Sequence, residues 1–256
     1  KNLQDLFNTN IKLIEHTKSK GYGLSNNIAL DNANGRYAIL LNSDVIVLPG
    51  WLTLLYRTIT SNKKNIGLVG PLFLSNNGKV SEAGGLLFYG GLPHNMGRGL
   101  QPNQLALYNK RIVDYISAAC VLFNRTLFKK LGLFDSQFQP AYYEDTDASM
   151  QYSQYDFETI LQPLAVVIHY EGKSITTTEK VALMNIHQQL FQNKHKNLLN
   201  RHCPDRPTNC PQKISVHELH AQQTLLRQPN RILILDTIPP EIDNDAASIR
   251  LNHIIN

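Results

Sequence analysis

The residues able to do chemistry fall in three places along the chain. Asn42-Ser43-Asp44 directly follows Tyr37-Ala38-Ile39-Leu40-Leu41, the most apolar strand-like run in the sequence. In open α/β sheets, ligands sit beyond the carboxyl ends of the strands, so polar residues placed there come first. Asp44 reads either as a cap for backbone N–H groups or as a ligand for a hard cation such as Mg2+ or Mn2+, and the residue alone leaves both open. The second place, Tyr142-Tyr143-Glu144-Asp145-Thr146-Asp147, gathers three carboxylates within four residues. Acids at a helix start are favoured by its dipole, which makes a capping cluster; crowded acids also raise one another's pKa, which suits one of them to act as a general base. Third is His169, after the apolar Val166-Val167-Ile168. A lone histidine is more often a structural hydrogen-bonding group. Converging with Asp44 and the acidic cluster, it would complete a mixed oxygen and nitrogen site for a divalent ion.

Two further signals are weaker. Lys20-Gly21-Tyr22-Gly23 ahead of a helix has the look of a phosphate-cradling loop, but it matches neither established glycine-rich pattern, and a plain turn explains it as well. His202, Cys203, Cys210, His217 and His220 are metal-ligand types, yet the spacing between the two cysteines departs from that of zinc sites.

Positioning such groups requires a framework, and the sequence supplies alternating signals. Strands are expected at Tyr37–Leu41, Ile66–Val69, Ala118–Phe123 and Val166–Ile168. Helices are expected over Leu24–Asn34, from Trp51 with Leu52, Leu55, Tyr56 and Ile59 at helical spacing, from a cap at Asn124 to a stop at Gly132, over Thr146–Gln154, and over Glu179–Leu199. Uninterrupted apolar strands alternating with helices predict an α/β layer fold with a mainly parallel sheet and helices on both faces. The organisation expected is a domain over 1–200, a Pro-, Gln- and His-rich linker over 201–230, and over 231–256 the start of a further domain opening on Arg231-Ile232-Leu233-Ile234-Leu235-Asp236.

Composition narrows the class. With 256 residues, 42% hydrophobic and 18% charged, the chain can bury a substantial core, which excludes disorder for its bulk. No run approaches the roughly 20 apolar residues of a membrane helix, so a soluble chain is expected. Three cysteines do not make a disulfide framework, which fits the cytoplasm. A net charge of +5 permits peripheral contact with an anionic membrane face, but no basic and aromatic stripe is present, so nucleic acid is not an expected partner.

In order, the motifs resemble those of family-2 glycosyltransferases of the GT-A fold. Gly21-Tyr22 with Asn27 resembles the loop and helix before the metal strand, Tyr37 to Asp44 the strand ending in an Asp-x-Asp-type element, and Pro49-Gly50-Trp51-Leu52 its continuation. Gly67-Leu68-Val69-Gly70-Pro71, Glu82-Ala83-Gly84-Gly85, Asp114 to Ala119, Gly132-Leu133-Phe134-Asp135, Tyr143 to Asp147 and His169 to Ser174 follow in the family's sequence. The match covers Ile11 to Leu199, starting near the third or fourth element of the family's sheet. Departures include Ser43 for an acid or Asn, Ala118 for Gly, and Gln151 for Arg. The resemblance implies inverting transfer of a sugar from a nucleotide-diphosphate donor to a glycan hydroxyl, assisted by Mn2+ or Mg2+. It implies Asp145 as the general base, Glu144 holding the acceptor, Asp44 and His169 as metal ligands, Gly21 and Asn27 near the donor nucleotide, and Asn42 and Ser117 shaping the site. The final segment resembles the opening of a second glycosyltransferase domain in a longer polysaccharide-synthesis protein. The competing expectation is a carbohydrate-binding or scaffold piece that keeps the fold without the chemistry.

Overall fold

The computed structural model of the protein describes residues 11–61, 65–132, 134–170 and 177–202. The expected linker and second domain, the Cys203 to His220 cluster, and Glu171 to Ser174 lie outside the described residues, apart from Arg201 and His202 at the end of the last helix.

Helix α1 (Tyr22–Asn32) leads into β1 (Tyr37–Leu41) and the short β2 (Val45–Val47). Helix α2 (Trp51–Ile59) precedes β3 (Ile66–Leu74), and β4 (Val80–Glu82), β5 (Gly85–Leu87), β6 (Pro93–Asn95) and β7 (Arg111–Val113) form short pieces before β8 (Cys120–Asn124). Then come α3 (Arg125–Leu131), α4 (Glu144–Gln154), β9 (Glu158–His169) and α5 (Thr177–Leu199). The α3 boundaries follow their capping chemistry. The Asn124 side chain accepts from the Leu127 N–H, and Gly132 ends the helix in the left-handed region at φ 116°. Along α2, Leu55 and Ile59 are buried while Leu52 and Tyr56 stay about half exposed; the Tyr56 ring meets Tyr37 edge-on. None of the helices among the described residues is long and apolar enough to cross a membrane.

The main sheet runs β1-β8-β3-β9-β2, with β4 added to β3 and β7 to β9. It is mixed, which corrects the expected mainly parallel sheet: among the described pairings only β3 with β9 is parallel. An apolar run reports burial on both faces but not strand direction. Here β8 lies between β1 and β3, antiparallel to both, yet is buried throughout except at Asn124. Registers fix which ends meet. Leu41 pairs with Cys120, Val45 with His169, and Leu74 with Ile168. The carboxyl ends of β1, β3 and β9 therefore share one sheet edge with the amino ends of β8 and β2.

The core around Leu40, Leu68, Val69, Phe123, Leu161 and Val167 holds this edge rigid. A second cluster, with Tyr115, Phe138, Tyr143, Met150 and Phe191, seats α5 against the segment leading into α4. Close approach sets one glycine: a Cβ on Gly67 would stand 2.2 Å from Cδ1 of Tyr152, whose side chain is fully buried. Gly67→Ala should therefore cost about 1–3 kcal/mol in denaturant unfolding. Combined with Tyr152→Leu, which removes the opposing ring, the two costs should sum to less than their separate values; strict additivity would contradict the packing account.

Candidate functional site

The sheet edge opens into a cleft of about 930 Å3 lined by Gly21, Asn42, Asp44, Ser117, Glu144, Asp145 and His169 among others. All the site residues expected from the sequence except Asn27 thus meet at one cavity. Asp44 sits on the β1–β2 turn, in which the Asn42 carbonyl accepts from the Val45 N–H at 3.2 Å. Its carbonyl accepts from the Tyr170 N–H at 3.0 Å, tying the turn to the end of β9. The Val45–His169 register then brings the side chains together, with His169 Nε2 3.4 Å from Asp44 Oδ1 and both partly solvent-facing.

That pair can be tested against a divalent ion. Mg2+ keeps several waters and is held by one or two carboxylates plus substrate phosphates; neighbouring ligands of an octahedral ion at about 2.1 Å stand roughly 3 Å apart. One carboxylate oxygen and one imidazole nitrogen at 3.4 Å, open to a cleft, match this demand. Among the described residues no group of three or more His, Cys, Asp or Glu forms an all-protein cage. Cys120 is fully buried in the core, and burial pushes its thiol up to about 12.

Opposite lies the first turn of α4. Asp145 Oδ1 accepts from the Thr146 N–H at 2.7 Å and from the Thr146 hydroxyl at 3.2 Å, while Oδ2 accepts from the Ala118 N–H at 3.3 Å. Burial raises the Asp145 pKa, and these hydrogen bonds to its ionised form only partly oppose that. Glu144 beside it is pushed up to about 8 by burial first and the Asp145 charge second. Glu144 Oε2 is buried with no hydrogen-bond partner, so the neutral acid is the stable form there. Two residues just before α4, Tyr142 and Tyr143, are held at φ 75° and 72°, a region that disfavours side chains. Helix α5 secures the first, with His187 Nδ1 bonding the Tyr142 carbonyl at 2.9 Å, and the β5–β6 turn the second, with the Tyr143 hydroxyl donating to the Gly91 carbonyl at 3.1 Å.

The third acid of the cluster goes elsewhere. Asp147 is fully buried on the side of α4 facing α5, where His195 Nε2 stands at 2.7 Å, Lys194 Nζ at 2.9 Å and Gln151 Nε2 at 2.6 Å. Gln151, a departure from the family pattern, thus serves a structural tie. Asn27 is also a structural residue: its side chain donates to the Phe134 carbonyl at 2.8 Å and accepts from the Phe134 N–H at 3.0 Å. Five residues beyond Tyr22 on a helix, it is turned about 140° away from the cleft-lining Tyr22. Asn42 donates its backbone N–H to the Ala119 carbonyl at 2.9 Å, and the Ser117 hydroxyl accepts from the Ala119 N–H at 3.3 Å, so both shape the loop against β1.

Several cleft residues carried no chemical assignment from the sequence. Glu82 is buried and accepts the Ser117 N–H at 2.9 Å. Its signals were the carboxylate in Val80-Ser81-Glu82 and its place in the motif Glu82-Ala83-Gly84-Gly85, neither of which gave it a role. Tyr115, whose hydroxyl meets Asn95 Oδ1 at 2.5 Å, and Lys180, 5.3 Å above the Tyr142 ring, complete the wall. Nothing in the local sequence links α5 to the cleft; only tertiary packing does.

The profile of glycosyl transferase family 2 matches residues 1–132, just over half of the chain. The chain is 27% identical over 160 residues to the O-antigen biosynthesis protein RfbC of Myxococcus xanthus, covering 60% of this chain and 12% of that protein. It is 23% identical over 170 residues to y4gI, an uncharacterized protein of Sinorhizobium fredii (strain NBRC 101917 / NGR234), covering 64% of this chain and 18% of that one. The chain therefore spans less than a fifth of these relatives. Among solved structures it is similar to GalNAc-T7 crystallised with UDP, GalNAc and Mn2+, at a TM-score of 0.53 and 17% identity over 87% of this chain and 45% of that one. The α/β fold expected from the sequence is the one it has.

A buried acid with a raised pKa has a signed consequence for stability. Its contribution is present below the unfolded pKa and is lost as pH rises through the folded value, about 8 for Glu144. Wild-type melting temperature should thus fall more steeply between pH 5 and pH 9 than that of Glu144→Gln, on the order of the linkage slope. Circular dichroism melts giving parallel curves for the two proteins would contradict the assignment.

Proposed function

Since this chain belongs to glycosyl transferase family 2, we propose that its cleft carries out metal-assisted, inverting transfer of a sugar from a nucleotide-diphosphate donor to a hydroxyl of a glycan acceptor. The observation that carries the reading is the meeting of Asp145 and the Asp44–His169 pair in one cavity, although they come from distant parts of the sequence. The comparison structure, crystallised with UDP, GalNAc and Mn2+, supports a nucleotide-sugar donor and a divalent ion. The O-antigen biosynthesis relative supports a polysaccharide acceptor.

On this reading Asp44 and His169 would hold Mn2+ or Mg2+, which, when bound, neutralises charge gathering on the departing diphosphate. The remaining steps belong to the chain. Asp145, ionised, takes the proton of the acceptor hydroxyl as its oxygen bonds the anomeric carbon, while the bond from that carbon to the donor phosphate breaks and its electron pair leaves with the diphosphate. Attack from the face opposite the leaving group inverts the centre. Neutral Glu144 can donate through its O–H to a second acceptor oxygen and so orient the hydroxyl toward Asp145. Gly21, Asn42 and Ser117 line the same cleft; on this reading Gly21 lies near the donor nucleotide, and Asn42 and Ser117 shape the site.

Mn2+-dependent turnover of a panel of UDP- and GDP-linked sugars tests the reading. Asp145→Asn should lower turnover by about 10²–10⁴ while leaving binding of Mn2+ with nucleoside diphosphate intact. Asp44→Ala should weaken Mn2+ binding at least about tenfold. Wild-type turnover in Asp145→Asn would overturn the base assignment. The acid limb of the rate profile should also lie above the ordinary carboxylate range, because the raised Asp145 pKa delays ionisation of the base as pH rises. A rate already at its plateau at pH 5 would contradict it.

A further inference from the structure

We propose that Tyr22 is the positioning residue of this site, a staple joining the two loops between which the Asp145 carboxylate is held. Its importance for turnover rests on the transfer reading above; its geometry does not. The backbone N–H of Tyr22 donates to the Pro140 carbonyl at 2.9 Å, on the loop that leads into α4. Its hydroxyl donates to the Ala118 carbonyl at 2.6 Å, on the loop that leads into β8. One residue thus binds both segments, and Asp145 completes the triangle by accepting from the Ala118 N–H at 3.3 Å.

The surroundings fit a fixed staple. Gly21 allows the approach: at φ 71°, a Cβ there would stand 2.6 Å from the Pro140 oxygen, so no other residue brings the helix start this close. The Tyr22 ring is held edge-on by Phe134 at 6.0 Å, and Phe134 is itself clamped by Asn27. This gives Asn27 its role: it supports the aromatic that orients Tyr22. Burial, and then the charges of Asp145 and Glu144, push the Tyr22 hydroxyl well above its ordinary range, so it stays a proton donor to Ala118 throughout the working pH range. The Ala118 C=O and N–H lie on the two peptide units that flank its Cα, so loss of the Tyr22 hydroxyl frees the first and loosens the second, the donor that favours the ionised form of Asp145.

The test is a 13C NMR titration of the Asp145 side-chain carboxyl in the metal-free protein, with the resonance assigned from Asp145→Asn. Besides Tyr22, Glu144 and Tyr115 interact with the Asp145 charge, and Asp44, Glu82, Arg98, His169 and Lys180 line the same cleft; Tyr22→Phe leaves all of them in place. The apparent Asp145 midpoint should rise by about half a unit or more in Tyr22→Phe. A thermal melt reports the fold separately. A lowered melting temperature with an unmoved Asp145 midpoint would reduce Tyr22 to a packing residue and overturn the proposal. In the unsubstituted protein, the Ala118 amide resonance should follow the Asp145 titration; an amide that ignores it would overturn the proposal whatever the variant does. Transfer is not read in this experiment. An inactive Asp145→Asn beside an unmoved titration would refute Tyr22 alone, whereas a shifted titration beside a fully active Asp145→Asn would refute the base and leave the staple standing.

Discussion

Strand register is the constraint on which the rest depends. Pairing Leu41 with Cys120 sets the Asn42 turn against the Ser117–Ala119 loop, and pairing Val45 with His169 sets Asp44 against the imidazole. Side chains alternate faces along a strand, so a slip of one residue in the second pairing would turn His169 away from Asp44. The parallel β3–β9 pairing ties these two local arrangements into one edge. The backbone ladders of the sheet thus bring Asp44, His169 and the Ser117–Ala119 loop to one end of the sheet.

Against that rigid edge, the acidic turn is a costly piece of structure. Two tyrosines in the left-handed region and a buried carboxyl group with one oxygen, Glu144 Oε2, lacking a hydrogen-bond partner each oppose folding. The aromatic cluster of Phe138, Tyr143 and Phe191 and the buried Asp147–His195 contact hold the turn in place from behind. Such local conflicts collect where a protein holds groups in unusual protonation states, as with the raised pKa values of Glu144 and Asp145. Helix α5, far from the reacting atoms in sequence, acts as the brace that makes the arrangement tolerable.

The sequence made the apolar strands legible because their composition is local: Tyr37–Leu41 is a strand over the expected residues. Asn124 and Gly132 were legible for the same reason, as a side-chain cap and a left-handed stop. Strand direction was not, since two-sided burial of Cys120–Asn124 is compatible with either sense. Asp44, Asp145 and His169 could be nominated from their places at strand and helix ends. The resemblance gave roles to Asp145 and Glu144, but the place of Asp147 was not legible, because only the packing of α5 decides that it faces inward while Asp145 faces the cleft. Tyr22 and Glu82 escaped assignment because their importance lies in bonds to backbone atoms of loops distant in sequence.

The central claim is that the Asp44–His169 pair and Asp145 serve one reaction centre. Crystals of the protein soaked with Mn2+ and uridine diphosphate test it most directly, through the anomalous scattering of the ion. The account predicts a Mn2+ peak within bonding distance of both Asp44 and His169, with the diphosphate bound to it inside the cleft that Asp145 faces. A peak bound elsewhere, or a diphosphate lying outside that cleft, would contradict it.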